Sequence, residues 1–206
     1  MRQMKSAAAA IGLALVLAGP AMAQLPPGVY PGARDYSLAP AGDYALDPSH
    51  TALLAQVQHI GYSLSVFRFD KVEATLAWNP DHPDASRLTV SVETASIDTP
   101  VPGFAQELAG PGYLNAAAFP KATFVSTAFH QTDATHGRVD GTFTLMGKSA
   151  PMTLEVELLG AGKGFMGHPR IGIEARGRLK TDDFGLPALF GPTIGLVVDA
   201  EFARTS

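Results

Sequence analysis

The amino-acid sequence predicts an all-β protein, a closed antiparallel barrel of eight or nine strands in preference to a sandwich. Three observations carry this. Segment after segment alternates apolar and polar residues at period two, the pattern of a strand buried on one face only. No helical segment is long enough to roof a sheet, so the apolar faces must cover one another. The strands are also long, up to about 11 residues, and mostly joined in sequence, which suits a barrel.

Residues 1–23 stand apart from this fold. Arg2 and Lys5 form a basic start, Ala7 to Leu17 an apolar stretch, and Ala21-Met22-Ala23 a small-x-small cleavage site. The apolar stretch is about 11 residues, too short to span a bilayer. Cleavage after Ala23 is therefore expected, with the mature chain from Gln24 exported to a bacterial periplasm. Residues 24–41 carry Pro26, Pro27, Pro31 and Pro40 among several glycines, a composition that resists regular structure. They read as a tail or a strap on a domain spanning residues 42–206.

The stretch from Gly42 to Trp78 sets the pattern for that domain. Tyr44 to Leu46 is strand-like and is followed by the turn Asp47-Pro48-Ser49. From Thr51 to His59, Leu53, Ala55, Val57 and His59 share one face, with Gln56 and Gln58 on the other. Gly61 breaks the run. Phe67, Phe69 and Lys71 then share one parity while Val72, Ala74, Leu76 and Trp78 share the other, so a bend must intervene. Arg87 to Ile97 alternates Leu88, Val90 and Val92 with polar residues. Phe104 and Leu108, four apart, mark the one short helix, ended by Pro111-Gly112.

Lys121 to His130 is rich in Thr, Phe and Val and has apolar residues on both faces. Arg138 to Met146 places Val139, Phe143 and Leu145 opposite Thr142 and Thr144. Pro151 to Gly160 sets Met152, Leu154, Val156 and Leu158 against Thr153, Glu155 and Glu157. Arg170 to Thr181 sets Ile171, Ile173, Ala175 and Leu179 against Glu174, Arg176, Arg178 and Lys180. The last strand alternates Ile194, Leu196, Val198 and Ala200 with polar or small residues. An eight-stranded barrel is filled by its own side chains or holds one small ligand. The small residues Ala55, Ala74, Gly141, Ala175, Gly177 and Ala200 fit either outcome: room for a ligand, or taper-fitting in a packed interior.

Composition excludes several classes. The chain has no cysteine, hence no disulfide, thiolate nucleophile or cluster ligation. Removing Arg2 and Lys5 takes the formal charge from −4 to −6, and no Lys/Arg cluster supports nucleic-acid binding. The six histidines show no metal-ligand spacing. Asp47, Ser49 and His50 hold the residue types of a triad, but near neighbours in sequence rarely converge as nucleophile, base and orienter. Asp-Pro-Ser is turn chemistry, with Asp47 placed to accept from nearby backbone amides.

The ordered motifs Asp43-Tyr44-x-Leu46-Asp47-Pro48-x-His50-Thr51, Val57-x-His59-Ile60-Gly61-Tyr62-Ser63 and Arg68-Phe69-x-Lys71 point further. They continue with Ser96-Ile97-Asp98-Thr99, Tyr113-Leu114-Asn115, Phe119-Pro120-x-Ala122-Thr123-Phe124, Gly141-x-Phe143-Thr144-Leu145-x-Gly147 and Asp183-Phe184-Gly185. From Gly42 to about Phe202 the chain resembles the YceI-like proteins, the polyisoprenoid-binding, lipocalin-like family. The resemblance implies an eight-stranded antiparallel lipocalin-like barrel with an accessory helix. It also implies a long apolar pocket for an isoprenoid or other lipid chain, periplasmic secretion and, often, a homodimer. With no recognisable catalytic constellation in the sequence, the expected role is to hold or carry a polyprenyl or isoprenoid-quinone chain, with neither catalysis nor a resident cofactor. Three features depart from the family pattern: Phe67 stands where glycine is usual, Ala55 where a larger aromatic is common, and Phe104 to Leu108 lacks the usual charges.

On the apolar faces, the side chains expected to line the pocket are Leu53, Ala55, Val57, His59, Phe67, Phe124, Phe143 and Leu145. Leu154, Val156, Ile173, Ala175, Phe184, Leu196 and Val198 complete the set. His59 would either hydrogen-bond a ligand head group or be satisfied within the core. Phe67 is expected to point inward. The apolar connection Leu186 to Phe190 reads as a lid, a membrane-touching lip, or a plug of the barrel end. Two other functions share this architecture: an enzyme acting on an apolar substrate, which needs a polar pair near His59, and a ligand-free accessory module, which needs a filled interior.

Overall fold

The computed structural model describes residues 25–205. The segment expected to be cleaved, residues 1–23, lies outside them. The strands are β1 (Gly42–Leu46), β2 (Ala52–His59), β3 (Ser63–Phe69), β4 (Val72–Trp78), β5 (Arg87–Glu93) and β6 (Ile97–Asp98). They continue as β7 (Lys121–Gln131), β8 (His136–Leu145), β9 (Lys148–Gly162), β10 (Arg170–Lys180) and β11 (Thr193–Arg204). Two helices accompany them, α1 (Phe104–Ala109) and the single turn α2 (Thr181–Phe184).

All pairings are antiparallel, and the circuit β1-β4-β5-β7-β8-β9-β10-β11 closes through β1 against β11 into an eight-stranded barrel. The three additional strands arise because three barrel staves are broken, between β1 and β2, between β3 and β4, and between β5 and β6. β1 and β2 both pair with β11, Leu46 opposite Phe202 and Ala52 opposite Asp199. The break between them is the Asp47-Pro48-Ser49-His50 turn, in which Asp47 Oδ1 accepts from the Ser49 amide at 3.0 Å. Pro48 has no N–H to give a ladder, so the strand ends there for a covalent reason. The second stave bends at Asp70-Lys71, where Ser96 Oγ accepts the Lys71 amide at 3.1 Å. β3 then pairs with β2 and β6, whereas β4 pairs with β1 and β5. This bend reconciles the opposite parities of Phe67 and Ala74, both of which are buried.

A bulge between Ser126 and Ala128 does the same for β7. It shifts the inward set from Ala122 and Phe124 to Phe129, which is why the segment looked apolar on both faces. The small residues divide by role. A Cβ on Gly141 would overlap the Phe124 ring, and one on Gly177 would lie 2.7 Å from Leu154 Cδ2, so these two glycines seat large side chains. Ala55, Ala74, Ala175 and Ala200 instead line hollow space.

Outward positions on β9 and β10 carry Glu155, Glu157, Glu174, Arg176, Arg178 and Lys180, the reverse of the apolar belt of a membrane-spanning barrel. Ahead of the barrel, residues 25–41 run over β9 and the loop that joins it to β10. Isolated bridges join Val29 to Phe165 and Ala33 to Ala161, and Arg34 Nη2 meets Glu157 Oε1 at 2.6 Å.

Candidate ligand cavity

The inward faces enclose two apolar chambers placed end to end. Each long strand passes from one to the other: β10 presents Ile171, Ile173 and Ala175 to the first chamber and Leu179 to the second. On β11, Ile194 and Leu196 belong to the second chamber, and Ala200 and Phe202 to the first. Val90, Leu154 and Val198 line both and form the waist. The first chamber measures about 190 Å³ and the second about 150 Å³. Val156, Ile173, Leu196 and Val198 face inward yet are only half-buried, because they border this hollow. A close-packed core would leave no such surface.

Leu53, Ala55, Val57, Phe67, Phe124, Phe143, Leu145, Leu154, Leu196 and Val198 stand in the wall of the second chamber. Val156, Ile173 and Ala175 stand in that of the first. Phe67 is 8% exposed and meets Phe104 of α1 edge-on at 6.0 Å and 65°. The second chamber is closed by Leu108, Tyr113 and Leu114 from the α1 region and by Leu186 and Phe190. Of the Leu186–Phe190 connection, those two side chains are buried, while Leu189 remains 66% exposed.

Two expected lining residues are elsewhere. His59 is exposed: its parity is inward, but it is the last residue of β2, and Ile60 and Gly61 turn the chain at φ 52° and 79°. The wall has ended before the ring can enter it. Phe184 is buried but lies behind the wall, edge-on to Phe143 at 5.4 Å and 78°. It belongs to α2, not to a strand, so alternation does not govern where it points.

Chemically the cavity offers little beyond apolar contact. In the second chamber the Thr94 hydroxyl donates to the Phe119 carbonyl at 2.7 Å, and the Tyr113 hydroxyl to Glu107 Oε1 at 3.4 Å. The polar residues of the first chamber, among them His130, Asp133, His136 and Arg138, come from the β7–β8 turn and its flanks and stand at its rim. Sequence reasoning did not assign the wall contributed by Tyr36, Ala39, Leu108 and Tyr113. Phe129, Leu76 and Trp78 were within reach of strand parity; Tyr36 and Ala39 were not, since a proline-rich strap has no periodicity.

Among the described residues, Asp47, His50 and Glu201 lie close enough to share a cation. A guanidinium already bridges the carboxylates: Arg170 Nη1 donates to Asp47 Oδ2 at 2.7 Å and to Glu201 Oε1 at 2.5 Å. His50 Nδ1 lies 3.0 Å from the same Asp47 oxygen. The Arg170 hydrogen bond, then that of His50, holds the Asp47 carboxyl down to about 2. This cluster lies at the broken stave, outside both chambers. A depressed carboxyl stabilises the fold above its unfolded value near 4 and loses that contribution as pH falls toward 2. Asp47→Asn is expected to cost about 1–2 kcal/mol at neutral pH. It should also flatten the stability profile between pH 4 and 2, as measured by urea unfolding across that range. An unaltered profile would remove the cluster from the acid response.

The YceI-like domain matches residues 44–202. Protein YceI of Escherichia coli O157:H7 is 33% identical over 168 residues, covering 79% of this chain and 87% of its own. The Shigella flexneri protein of the same name is 32% identical over the same span. Among solved structures, Burkholderia cenocepacia BcnA superposes with a TM-score of 0.68 at 18% identity, covering 76% of this chain and 98% of BcnA. The Campylobacter jejuni YCEI protein gives 0.65 at 24%, covering 73% and 91%. A polyisoprenoid binding domain from Saccharophagus degradans gives 0.59 at 15%, covering 79% and 98%. At these identities the structural likeness is one of fold.

Proposed function

This chain belongs to the YceI-like family, and from that premise we propose that it is a periplasmic protein that holds one long apolar chain inside its barrel. The chain is isoprenoid-like, a polyprenyl lipid or an isoprenoid quinone, and the role is sequestration or transport. The observation that carries this reading is the pair of apolar chambers meeting at Val90, Leu154 and Val198. Polar groups stand at the rim, so a head group stays near a mouth while the tail fills the interior.

The energetics suit such a ligand. Each buried CH₂ contributes about 0.8 kcal/mol, so a five-carbon isoprene unit supplies roughly 3–4 kcal/mol. Two to four units then offset association costs of roughly 4–15 kcal/mol. Catalysis has no place in this scheme. The histidine that an enzymatic reading needs inside the barrel, His59, is exposed outside it. Leu189, exposed beside the second chamber, is the point at which the Leu186–Phe190 connection would touch a membrane during loading.

The test is mass spectrometry of an organic extract of the protein purified from periplasm. The expected extract contains an isoprenoid-like chain in near-stoichiometric amount. A protein that carries no lipid and takes up no apolar dye would support the ligand-free accessory role instead.

A further inference from the structure

We infer that the N-terminal strap is part of the binding site, an end wall that sets which chains the first chamber retains. This rests on the lipid-binding reading above and adds an element that the family domain does not contain, since the match to that domain begins at residue 44.

Tyr36 and Ala39 line the first chamber together with Trp78 and Pro83. Ala39 is 0% exposed, although most of the strap is open to solvent. The strap is fastened as a fixed wall. Asp35 Oδ1 accepts from the Ser37 amide at 2.9 Å, shaping the turn that presents Tyr36. Tyr36 packs edge-on against Trp78 at 6.1 Å and 86°. Trp78 Nε1 donates to the Ala39 carbonyl at 3.2 Å, and the Tyr44 hydroxyl donates to the Pro40 carbonyl at 2.7 Å. Arg204 Nη2 closes the set by donating to the Ala41 carbonyl at 2.9 Å.

These bonds come from barrel strands and end on strap carbonyls. The barrel therefore holds the strap's backbone, packs Ala39 fully into the wall and leaves the half-buried Tyr36 ring toward the hollow. A strap needed only for stability would not have to present apolar side chains to a cavity. The partner chemistry is an apolar chain terminus, because the strap adds one aromatic ring, stacked edge-on against Trp78 of β4, and a packed alanine to this wall and no charge.

The experiment compares wild type, Tyr36→Ala, Tyr36→Phe, Ala39→Val and Leu38→Ala, all in the full chain. Leu38 is 49% exposed on the same strap and does not line the chamber. Two quantities are read: release rates of prenyl alcohols of graded length, measured by displacement of an apolar naphthylamine dye, and melting by circular dichroism. Tyr36→Ala should release chains about three- to tenfold faster, the scale of one lost aromatic contact, and should admit longer ones. Ala39→Val should shorten the longest chain retained. Tyr36→Phe and Leu38→Ala should behave as wild type. Unaltered release and length preference in Tyr36→Ala and Ala39→Val would overturn the inference; if neither folds, Tyr36→Leu, which keeps apolar bulk but loses the ring, decides by the same two readouts. A wild type that binds neither prenyl alcohol nor dye overturns the lipid-binding reading itself, and the strap's role with it.

Discussion

Replacing Ile173 with glutamate is expected to empty the barrel and to destabilise it more than any exterior change on the same strand. Ile173 sits in the wall of the first chamber, opposite Leu158 on β9 and Ala200 on β11. Its ladder neighbours are apolar, and the polar side chains of the chamber stand at the rim formed by the β7–β8 turn, so a carboxylate there would be desolvated with no partner beside it. Unpaired buried charge is one of the few mechanisms whose cost exceeds about 4 kcal/mol. Val156, paired with Ala175 and facing the same chamber, should respond in the same way to aspartate. The control is Arg178→Glu, an outward position on β10. Urea unfolding and lipid retention are measured together, and an Ile173→Glu protein with both properties intact would mean that β10 presents its other face inward.

Phe67→Gly is expected to cost about 3–5 kcal/mol and to lengthen the chains retained. The ring fills part of the second chamber, its cross-strand partner is the small Ala55, and its edge rests on Phe104. Deleting it removes transfer energy and leaves a gap that α1 cannot fill without moving. Glycine within a strand adds roughly 0.5–1 kcal/mol to that cost. The readout is the chain-length distribution of co-purified lipid beside that of wild type, with urea unfolding for the energy. An unaltered distribution from a folded variant would place the ligand wholly in the first chamber.

Legibility in the sequence followed the physics of each segment. Strands with clean alternation, such as Met152-Leu154-Val156-Leu158, gave both their existence and their inward face, because period two is imposed by the pleat. The change of parity between Phe69 and Val72 marks the bend at Asp70-Lys71 in the sequence itself. Parity misled where the strand was ending, at His59, and where the residue sat in a helical turn, at Phe184. It was silent on the bulge at Ser126–Ala128, whose signature is only that both faces look apolar. The Asp47–Arg170–Glu201 cluster was also out of reach, since its members meet only once the barrel has closed. Likewise, small residues alone did not separate Gly141, which makes room for Phe124, from Ala175, which borders the hollow.

The closure has a consequence for how the chain reaches its native state. β11, the last strand made, pairs with β10, β2 and β1 at once, and Arg204 reaches back to Ala41, 163 residues away. Contacts so distant along the chain are costly to form early, and folding dominated by them is slow. Until the C-terminal strand arrives, β1, β2 and β10 each keep an open edge and an apolar face exposed. The newly made chain therefore passes through a period in which it is a substrate for chaperones and for its own neighbours, and that period lasts until the twelve residues of β11 are in place.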